Sequence, residues 1–345
     1  MPGPVLSLGL IGCGNFGRGL AAAFAATPRV RVALCADRDP AAAAACAGGL
    51  GARAAGVEQL LADPGLDAVA VATPNATHRD CVEAALGAGK HVWCEKPMAL
   101  SVQDCDAMLA AAARARRCLT VGHMQRHFPL LAAVREAVGA GAVGRPGLVT
   151  LARREYLRRA PGWLRQRAVV GGLQFQSSIH EFDWLRSAFG EVVRVGACGV
   201  PAPLQSALDF PDGLVVQLEF ASGCAGCLSA CMTDFVGAYR GEVNGPEGSL
   251  HFDLLAGSYR LAGPEGPVRE IAVPQGPLRE AYGPGGARAR GDFVAWVLDG
   301  TPPAVTARDG RQAVAIACAV SESLAEGRPV AVRRPAAAPE GALTC

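Results

Sequence analysis

The chain contains no apolar run that approaches the ~20 residues needed to cross a bilayer, although half of its 345 residues are hydrophobic. It also lacks the basic flank and the cleavage site of a signal peptide. Its 33 basic and 31 acidic side chains give a net charge of +2, and no long basic run is present. These absences argue against a nucleic-acid partner or a membrane partner, and we expect a cytoplasmic protein.

The sequence also lacks a complete metal-binding motif, although it has thirteen cysteines. The one spaced cluster is Cys224, Cys227 and Cys231, and no fourth ligand lies nearby. A structural zinc site needs four ligands, and disulfides are rare in cytosolic proteins. We therefore expect no metal, and we interpret most of the cysteines as small buried hydrophobic residues.

Glycine, in contrast, is abundant, and three glycines near the N-terminus have an informative spacing. The apolar run Leu6–Ile11 is followed by Gly12, Gly14 and Gly17 in G-x-G-x-x-G spacing, and a helix is predicted directly after them. About twenty residues further on, a second apolar run ends in Asp37, as in a dinucleotide-binding βαβ unit. The phosphates would lie on the N–H groups at the helix N-terminus. The alternative is an ordinary strand–turn–helix that uses its glycines for the turn.

The chemistry of the residue after the second strand bears on which dinucleotide is bound. Asp37 can accept hydrogen bonds from ribose hydroxyls and would repel a 2′-phosphate, which favours NAD. Arg38 follows directly and could stack on adenine or reach a phosphate, so NADP stays an alternative.

The pattern up to residue 123 alternates between short apolar strands and helices, which predicts a doubly wound parallel sheet. Ligands of such sheets bind at the carboxyl ends of the strands. The suggestive residues follow predicted strands, namely Gly12, Asp37, Thr73, Lys96 and His123. Beyond residue 123, partly alternating runs between Pro- and Gly-rich turns indicate an antiparallel sheet with helices. We predict an α/β protein with domains at 1–123 and 124–334 and a disordered tail at 335–345.

Several motifs make the chain resemble one enzyme family over nearly its whole length. They are Gly9–Gly17, Thr73-Pro74-Asn75 with His78, Glu95-Lys96-Pro97, Gly122–Arg126, and Gly171-Gly172 followed by Ile179–Asp183. The family is that of glucose-fructose oxidoreductase, inositol dehydrogenase and rhizopine catabolism proteins. The resemblance implies a Rossmann domain, a C-terminal α/β domain with an open, mainly antiparallel sheet, a homo-oligomer (dimer or tetramer), and a sugar or cyclitol substrate.

Family membership also implies specific residue roles. Lys96 would act at the nicotinamide and polarise a substrate oxygen, and its bond to Pro97 is a candidate cis peptide. His180 would remove the hydroxyl proton as hydride leaves the adjacent carbon. The alternatives are a surface lysine and a helix-capping histidine. Many relatives carry an Asp four residues before this His, whereas Gln176 stands here and can only position by hydrogen bonding.

The remaining site predictions also rest on the resemblance. The implied cofactor contacts are Gly12, Gly14, Asn15, Phe16, Gly17, Asp37, Arg38, Thr73, Pro74, Asn75, His78, Glu95, Lys96 and Trp163. Trp163 has a core tryptophan as its alternative. Lys96, Arg126, His180 and Asp183 are the predicted substrate contacts, although Arg126 and Asp183 could equally form an interdomain ion pair.

The predicted function is hydride transfer between NAD(P) and a secondary alcohol or ketone of a sugar, cyclitol, aminosugar or sugar conjugate. Glu280-Ala281-Tyr282 resembles inositol dehydrogenases, but Phe235–Arg240 stands where many of them have Tyr-Gly-Tyr-Asp-Gln-Arg. The lost hydroxyls and acid argue against free inositol and favour a larger or amino-substituted ring. The alternatives are a non-catalytic NAD-binding relative, which Gln176 would suit, and a glycoside-hydrolysing relative with cycling NAD.

Overall fold

A computed structural model describes residues 3–156, 162–200, 208–274 and 283–334. The predicted tail at 335–345 and the Glu280–Tyr282 motif lie outside these residues. The chain divides into two compact units, the first built from residues up to His123 together with Gly285–Arg311, and the second from Met124–Pro284 together with Gln312–Arg334. Within the described residues, no helix is both long enough and apolar enough to cross a membrane.

The first unit contains a six-stranded parallel sheet with helices between its strands. Its elements are β1 (Leu6–Ile11), α1 (Asn15–Ala25), β2 (Val30–Ala36), α2 (Pro40–Gly48), β3 (Arg53–Ala55), α3 (Val57–Ala62), β4 (Ala68–Val71), α4 (His78–Gly87), β5 (His91–Cys94), α5 (Val102–Ala115) and β6 (Leu119–Val121). The strand order is β3-β2-β1-β4-β5-β6, and every neighbouring pair is parallel. This is the predicted doubly wound Rossmann sheet.

The central strands of this sheet are buried, as their continuous apolar sequences require. All residues of β1 and β4 are buried. Helix α5 begins after a Ser101 cap, whose hydroxyl accepts the Asp104 N–H at 3.0 Å.

The second unit contains a nine-stranded mixed sheet. Its elements are α6 (Pro129–Gly139), β7 (Leu148–Tyr156), α7 (Arg167–Val170), α8 (Leu173–Gln176), α9 (Ile179–Phe189), β8 (Val192–Gly199), β9 (Gly213–Phe220), β10 (Ala225–Cys231), β11 (Thr233–Gly245), β12 (Gly248–Asp253), β13 (Ser258–Ala262) and β14 (Arg269–Ala272). Three further elements follow along the chain, namely α10 (Pro284–Asp299), α11 (Ala307–Glu326) and β15 (Val330–Ala331). Residues 285–311, which include nearly all of α10 and the start of α11, belong to the first unit, whereas the rest of α11 and β15 belong to the second. The order is β14-β13-β12-β11-β7-β10-β9-β8-β15. Among the described strands of this sheet, only β7 and β10 pair in parallel, so the sheet is mainly antiparallel, as predicted.

Helix α10 packs within the first unit, although its residues lie in the range predicted for the second domain. Phe293 of this helix lies 5.9 Å from the Trp93 ring and 6.4 Å from Phe24, in edge-to-face geometry. The side chain of Arg311 pairs with Asp106 at 2.9 Å. The aromatic surface of β5 and α1 thus recruits a segment that is distant in sequence. The division into domains at 1–123 and 124–334 stays a prediction.

Candidate active site

The three glycines at the end of β1 differ in the space around them. Gly12 has a φ of +100°, and a Cβ there would lie 2.5 Å from the Ala72 carbonyl oxygen. A Cβ on Gly17 would lie 1.8 Å from the Gly12 oxygen, so helix α1 approaches β1 more closely than any side chain permits. At Gly14, in contrast, no atom of the described residues beyond its own neighbours along the chain lies within 4 Å of the Cβ position. The loop is therefore closed against the protein at Gly12 and Gly17 and open at Gly14.

Helix α1 begins directly after this open position. Gly14 is its N-cap and supplies no side-chain hydrogen bond to the first N–H groups of the helix. Asn15 and Phe16 are exposed in the first turn, where Arg18 donates to the Asn15 amide oxygen at 2.7 Å. N–H groups at a helix N-terminus attract anions, and an open glycine lets a phosphate approach them.

Asp37, at the end of β2, is tied to the glycine loop. Its carboxylate accepts the Cys13 N–H at 2.6 Å and the Asp39 N–H at 2.9 Å. Each of its oxygens keeps a second lone pair, since a carboxylate has about four acceptor positions. Arg38 is exposed beside it. A half-buried carboxylate is thus held at a fixed position beside the loop.

His78 connects the loops that follow β4 and β5. Its Nε2 lies 2.9 Å from the Thr73 oxygen and its Nδ1 lies 2.8 Å from the Pro97 oxygen. The ring is buried, and that burial lowers the pKa of His78. His78 therefore positions the Thr73-Pro74-Asn75 turn against the Lys96-Pro97 turn, while its predicted contact with the cofactor stays a prediction.

Lys96 follows β5 and is half-buried, in a cis peptide bond with Pro97, as the resemblance implied. The preceding Glu95 is buried, and its carboxylate accepts the Trp93 indole N–H at 3.0 Å and the Lys96 N–H at 3.3 Å. Burial raises the pKa of Glu95. Gly122 makes room for this carboxylate, since a Cβ there would lie 2.9 Å from a Glu95 oxygen.

In the first unit, the predicted cofactor residues that follow β1, β2, β4 and β5 thus lie along one edge of the parallel sheet. The glycine loop follows β1 and Lys96 follows β5, and only β4 lies between these strands, so they are separated by about 10 Å in the hydrogen-bonding direction. The open space at Gly14, the uncapped helix N-terminus and the pinned Asp37 carboxylate fit a dinucleotide.

In the second unit, Arg126 and Asp183 form a buried ion pair. The guanidinium donates from Nε at 2.7 Å and from Nη2 at 2.5 Å to the two carboxylate oxygens, and the side chains are 7% and 1% exposed. This bidentate geometry fixes the turn at Met124–His127 to helix α9. Both residues belong to the second unit. Their predicted contact with substrate stays a prediction.

A second buried connection lies beside this ion pair and centres on Glu181, a residue without a predicted role. One Glu181 oxygen, Oε1, accepts hydrogen bonds from Gln125 at 2.8 Å and from Arg153 at 2.9 Å, and it lies 2.9 Å from the Tyr239 hydroxyl. Glu181 is fully buried, and burial together with its charge raises the pKa of Tyr239 well above the usual range. Burial alone would lower the pKa of the Arg153 guanidinium, but the negative charges of Glu181 and Glu155 outweigh this effect, and the pKa is raised.

His180 precedes Glu181 in the first turn of α9. Its side chain is 9% exposed, and its backbone N–H donates to the backbone carbonyl oxygen of Ser177 at 3.4 Å. Gln176 ends α8 and is half-buried, and the preceding Gly171 and Gly172 have φ values of +85° and +101°. These glycines make the tight turn that leads into α8. His180 is therefore held between Ser177 and the two buried connections of α9.

Two other predictions concern Trp163 and the cysteines. Trp163 lies in a short 3-10 turn (Gly162–Arg165) and is 40% exposed, so it is not a core tryptophan. Its contact with the cofactor stays a prediction. Cys224 is buried, and Cys227 and Cys231 are half-buried around β10. Among the described residues, no group of three or more His, Cys, Asp or Glu side chains could hold a metal ion.

Comparison with known proteins agrees with this geometry. Residues 6–123 match a family described as an oxidoreductase family with an NAD-binding Rossmann fold, and residues 135–332 match the C-terminal alpha/beta domain of the same oxidoreductase family. Inositol 2-dehydrogenase of Rhizobium meliloti (strain 1021) is 30% identical over 330 residues, which cover 94% of this chain and 98% of the relative.

Two further proteins are similar over most of the chain. Myo-inositol 2-dehydrogenase of Thermotoga maritima is 32% identical over 79% of this chain and 81% of the relative. The solved structure of GenD2 from gentamicin A biosynthesis, in complex with NAD, is 28% identical with a TM-score of 0.86, covering 97% of this chain and 98% of GenD2.

Proposed function

The chain belongs to the Gfo/Idh/MocA family of NAD-dependent oxidoreductases, and on that premise we propose that it oxidises a secondary alcohol of a sugar, a cyclitol or one of their derivatives. The enzyme acts on CH–OH groups with NAD as its cofactor. The observation that carries the proposal is the position of Lys96, a half-buried ammonium that follows β5 at the carboxyl edge of the Rossmann sheet, the edge at which the glycine loop follows β1.

The glycine loop, the first turn of α1 and Asp37 would hold the dinucleotide. Gly14 admits the phosphates to the helix N–H groups, and the Asp37 carboxylate accepts hydrogen bonds from the ribose hydroxyls. When bound, NAD supplies the acceptor for the hydride that leaves the alcohol carbon. The Thr73-Pro74-Asn75 turn and Trp163 are further proposed contacts.

Lys96 and His180 have distinct proposed roles. The Lys96 ammonium stabilises the negative charge that develops on the substrate oxygen as its proton leaves. The His180 imidazole accepts that proton, so that the alcohol loses one hydride and one proton and becomes a ketone. The Gln176 amide is neither an acid nor a base near neutral pH, and it positions its neighbours by hydrogen bonding. Arg126 and Asp183 shape the substrate side of the site through their ion pair.

The test is a panel of polyols, aldoses, aminosugars and nucleotide sugars, each incubated with the enzyme and NAD or NADP while NADH absorbance is followed. We expect turnover with NAD and little with NADP. His180→Asn should lower kcat by about 10²- to 10⁴-fold while the Kd for NAD, measured by fluorescence titration, stays unchanged. Wild-type turnover in this variant would refute the role of His180, and a strong NADP preference would refute that of Asp37.

A further inference from the structure

One carboxylate of the second unit, that of Glu155, faces the turn before His180, and its ion-pair partner among the described residues, Arg153, is shared with Glu181. Val149 and Leu151 of β7 are buried in an alternating row, and Arg153 and Glu155 continue this row toward the end of the strand. Both polar side chains reach the segment between α8 and α9. Arg153 bonds Glu181, and the Ser177 hydroxyl donates to Glu155 Oε1 at 2.9 Å.

The charges in this contact group do not balance. Arg153 lies 2.9 Å from Glu181 and 3.3 Å from Glu155, so one guanidinium serves two carboxylates. The nearby Arg126 is engaged bidentately with Asp183. Arg153, Glu155 and Glu181 therefore carry one net negative charge. Glu181 is fully buried and Glu155 is 42% exposed, so solvent or a ligand meets this charge at Glu155.

The Glu155 carboxylate also has an unused acceptor. Its contacts within the described residues, with Ser177 and Arg153, all involve Oε1, and Oε2 has no partner there. A half-exposed carboxylate with a free oxygen can bind an ammonium or a hydroxyl group. Among the described residues, the net negative charge of Arg153, Glu155 and Glu181 favours the ammonium, because a cation neutralises this charge and a hydroxyl does not.

The position of Glu155 relates it to the proposed reaction. The backbone carbonyl of Ser177 accepts the backbone N–H of His180. Residues that lie three apart on a helical turn have neighbouring side chains. The Ser177 side chain thus links Glu155 to the turn that carries His180, and a group bound by Glu155 would lie close to this turn. The amide of Gln176, directly before Ser177, adds no charge there.

We propose that Glu155 binds a protonated amino group of the substrate, so that the enzyme prefers an amino-substituted sugar or cyclitol over its neutral counterpart. This inference rests on the proposed function and names the substrate class for the same site. The amine is protonated near neutral pH, and the oxidised hydroxyl lies elsewhere on the same ring.

The test compares matched substrates with the full-length enzyme at pH 7. Each pair consists of a neutral ring and its monoamino analogue, such as an inositol with the corresponding inosamine, and glucose with its 2-amino and 3-amino derivatives. The variants are Glu155→Gln, which removes the charge, and Glu155→Asp, which keeps it. Glu265→Gln is the matched control, since Glu265 is exposed on the loop between β13 and β14.

We expect at least one amino substrate to exceed its neutral partner in kcat/KM. Glu155→Gln should lower kcat/KM for that substrate by about 10- to 100-fold, mainly through KM, and leave the neutral partner within about 3-fold. Glu155→Asp should retain the preference, and Glu265→Gln should behave like the wild type. An equal loss on both members of a pair, or no preference for any amine, would overturn the inference.

A second measurement separates this inference from the proposed function. If no compound reduces NAD, the proposed function fails, and calorimetric titration of the NADH-loaded enzyme then compares the binding of each pair. Amine binding that is lost in Glu155→Gln would still support the inference. Turnover of neutral rings without any preference for amines would uphold the proposed function and reject the inference alone.

Discussion

The Arg126–Asp183 ion pair gives the strongest stability prediction. Asp183→Ala would leave the Arg126 guanidinium in a site that is only 7% exposed, without the carboxylate that accepts hydrogen bonds from its Nε and Nη2. Breaking a buried pair from one side costs about 3–5 kcal/mol, because the remaining charge cannot regain its hydration. For a unit of this size, that corresponds to a Tm lower by about 10 °C.

The structure supplies a matched control for this substitution. Arg194 and Glu219 form an ion pair of similar length, 2.6 Å, but their side chains are 54% and 51% exposed. Surface pairs contribute about 0.2–1 kcal/mol, so Glu219→Ala should cost no more than that. The difference between the two variants isolates the effect of burial.

The assay is unfolding in guanidinium chloride, followed by far-UV circular dichroism and Trp fluorescence so that separate transitions of the two units are resolved. The double variant Arg126→Met/Asp183→Leu should be more stable than Asp183→Ala, because neither charge is then left unpaired. A cost below about 1 kcal/mol for Asp183→Ala would refute this reasoning. A double variant less stable than the single one would refute it as well.

Two further predictions concern the first unit. Gly17→Ala should prevent correct folding, because its Cβ would lie 1.8 Å from the Gly12 oxygen. Gly14→Ala should fold normally but lose NAD affinity, because its Cβ would enter the open space of the loop. Equal unfolding midpoints for the two variants, with NAD affinity retained, would contradict this prediction. Burial, aided by Arg117, lowers the pKa of His91 to about 4 from 6.5, so its contribution to stability is full above pH 6.5 and is lost as the pH falls toward 4. Since His91 is partly exposed, this loss should be about 1–2 kcal/mol, and it should be absent in His91→Asn, which keeps an acceptor for the Cys118 N–H at 3.0 Å; identical pH dependence of the two unfolding midpoints would contradict it.

Local sequence patterns predicted most of the Rossmann elements. The predicted alternation of short strands and helices up to residue 123 is observed, and the apolar run Leu6–Ile11 forms β1 with these bounds. Helix α1 begins three residues earlier than predicted, at Asn15, because Gly14 serves as its N-cap. The short strand β3 has no continuous apolar run, and the pairing partner β2 determines it.

The sequence pattern did not reveal the polar connections of the second unit. In the sequence, Arg153 and Glu155 are charged residues of a strand and Glu181 is an acidic residue of an amphipathic helix, and none of them has a predicted role. The alternation of β7 places the first two on the side of Val149 and Leu151, a weak signal that they face the helices. That they meet Ser177 and Glu181 depends on how α8 and α9 pack over the sheet.

The sequence by itself determined the dinucleotide loop, because Gly12 and Gly17 are required by local backbone geometry that only glycine provides. It likewise determined the positions of Asp37 and Lys96, since a residue that follows a parallel strand must lie at its carboxyl edge. The tertiary structure decided that Arg126 pairs with Asp183 and that Glu155 carries an unbalanced charge. These contacts join residues 22 to 57 positions apart, and only the packing of helices on the sheet brings such residues within hydrogen-bond distance.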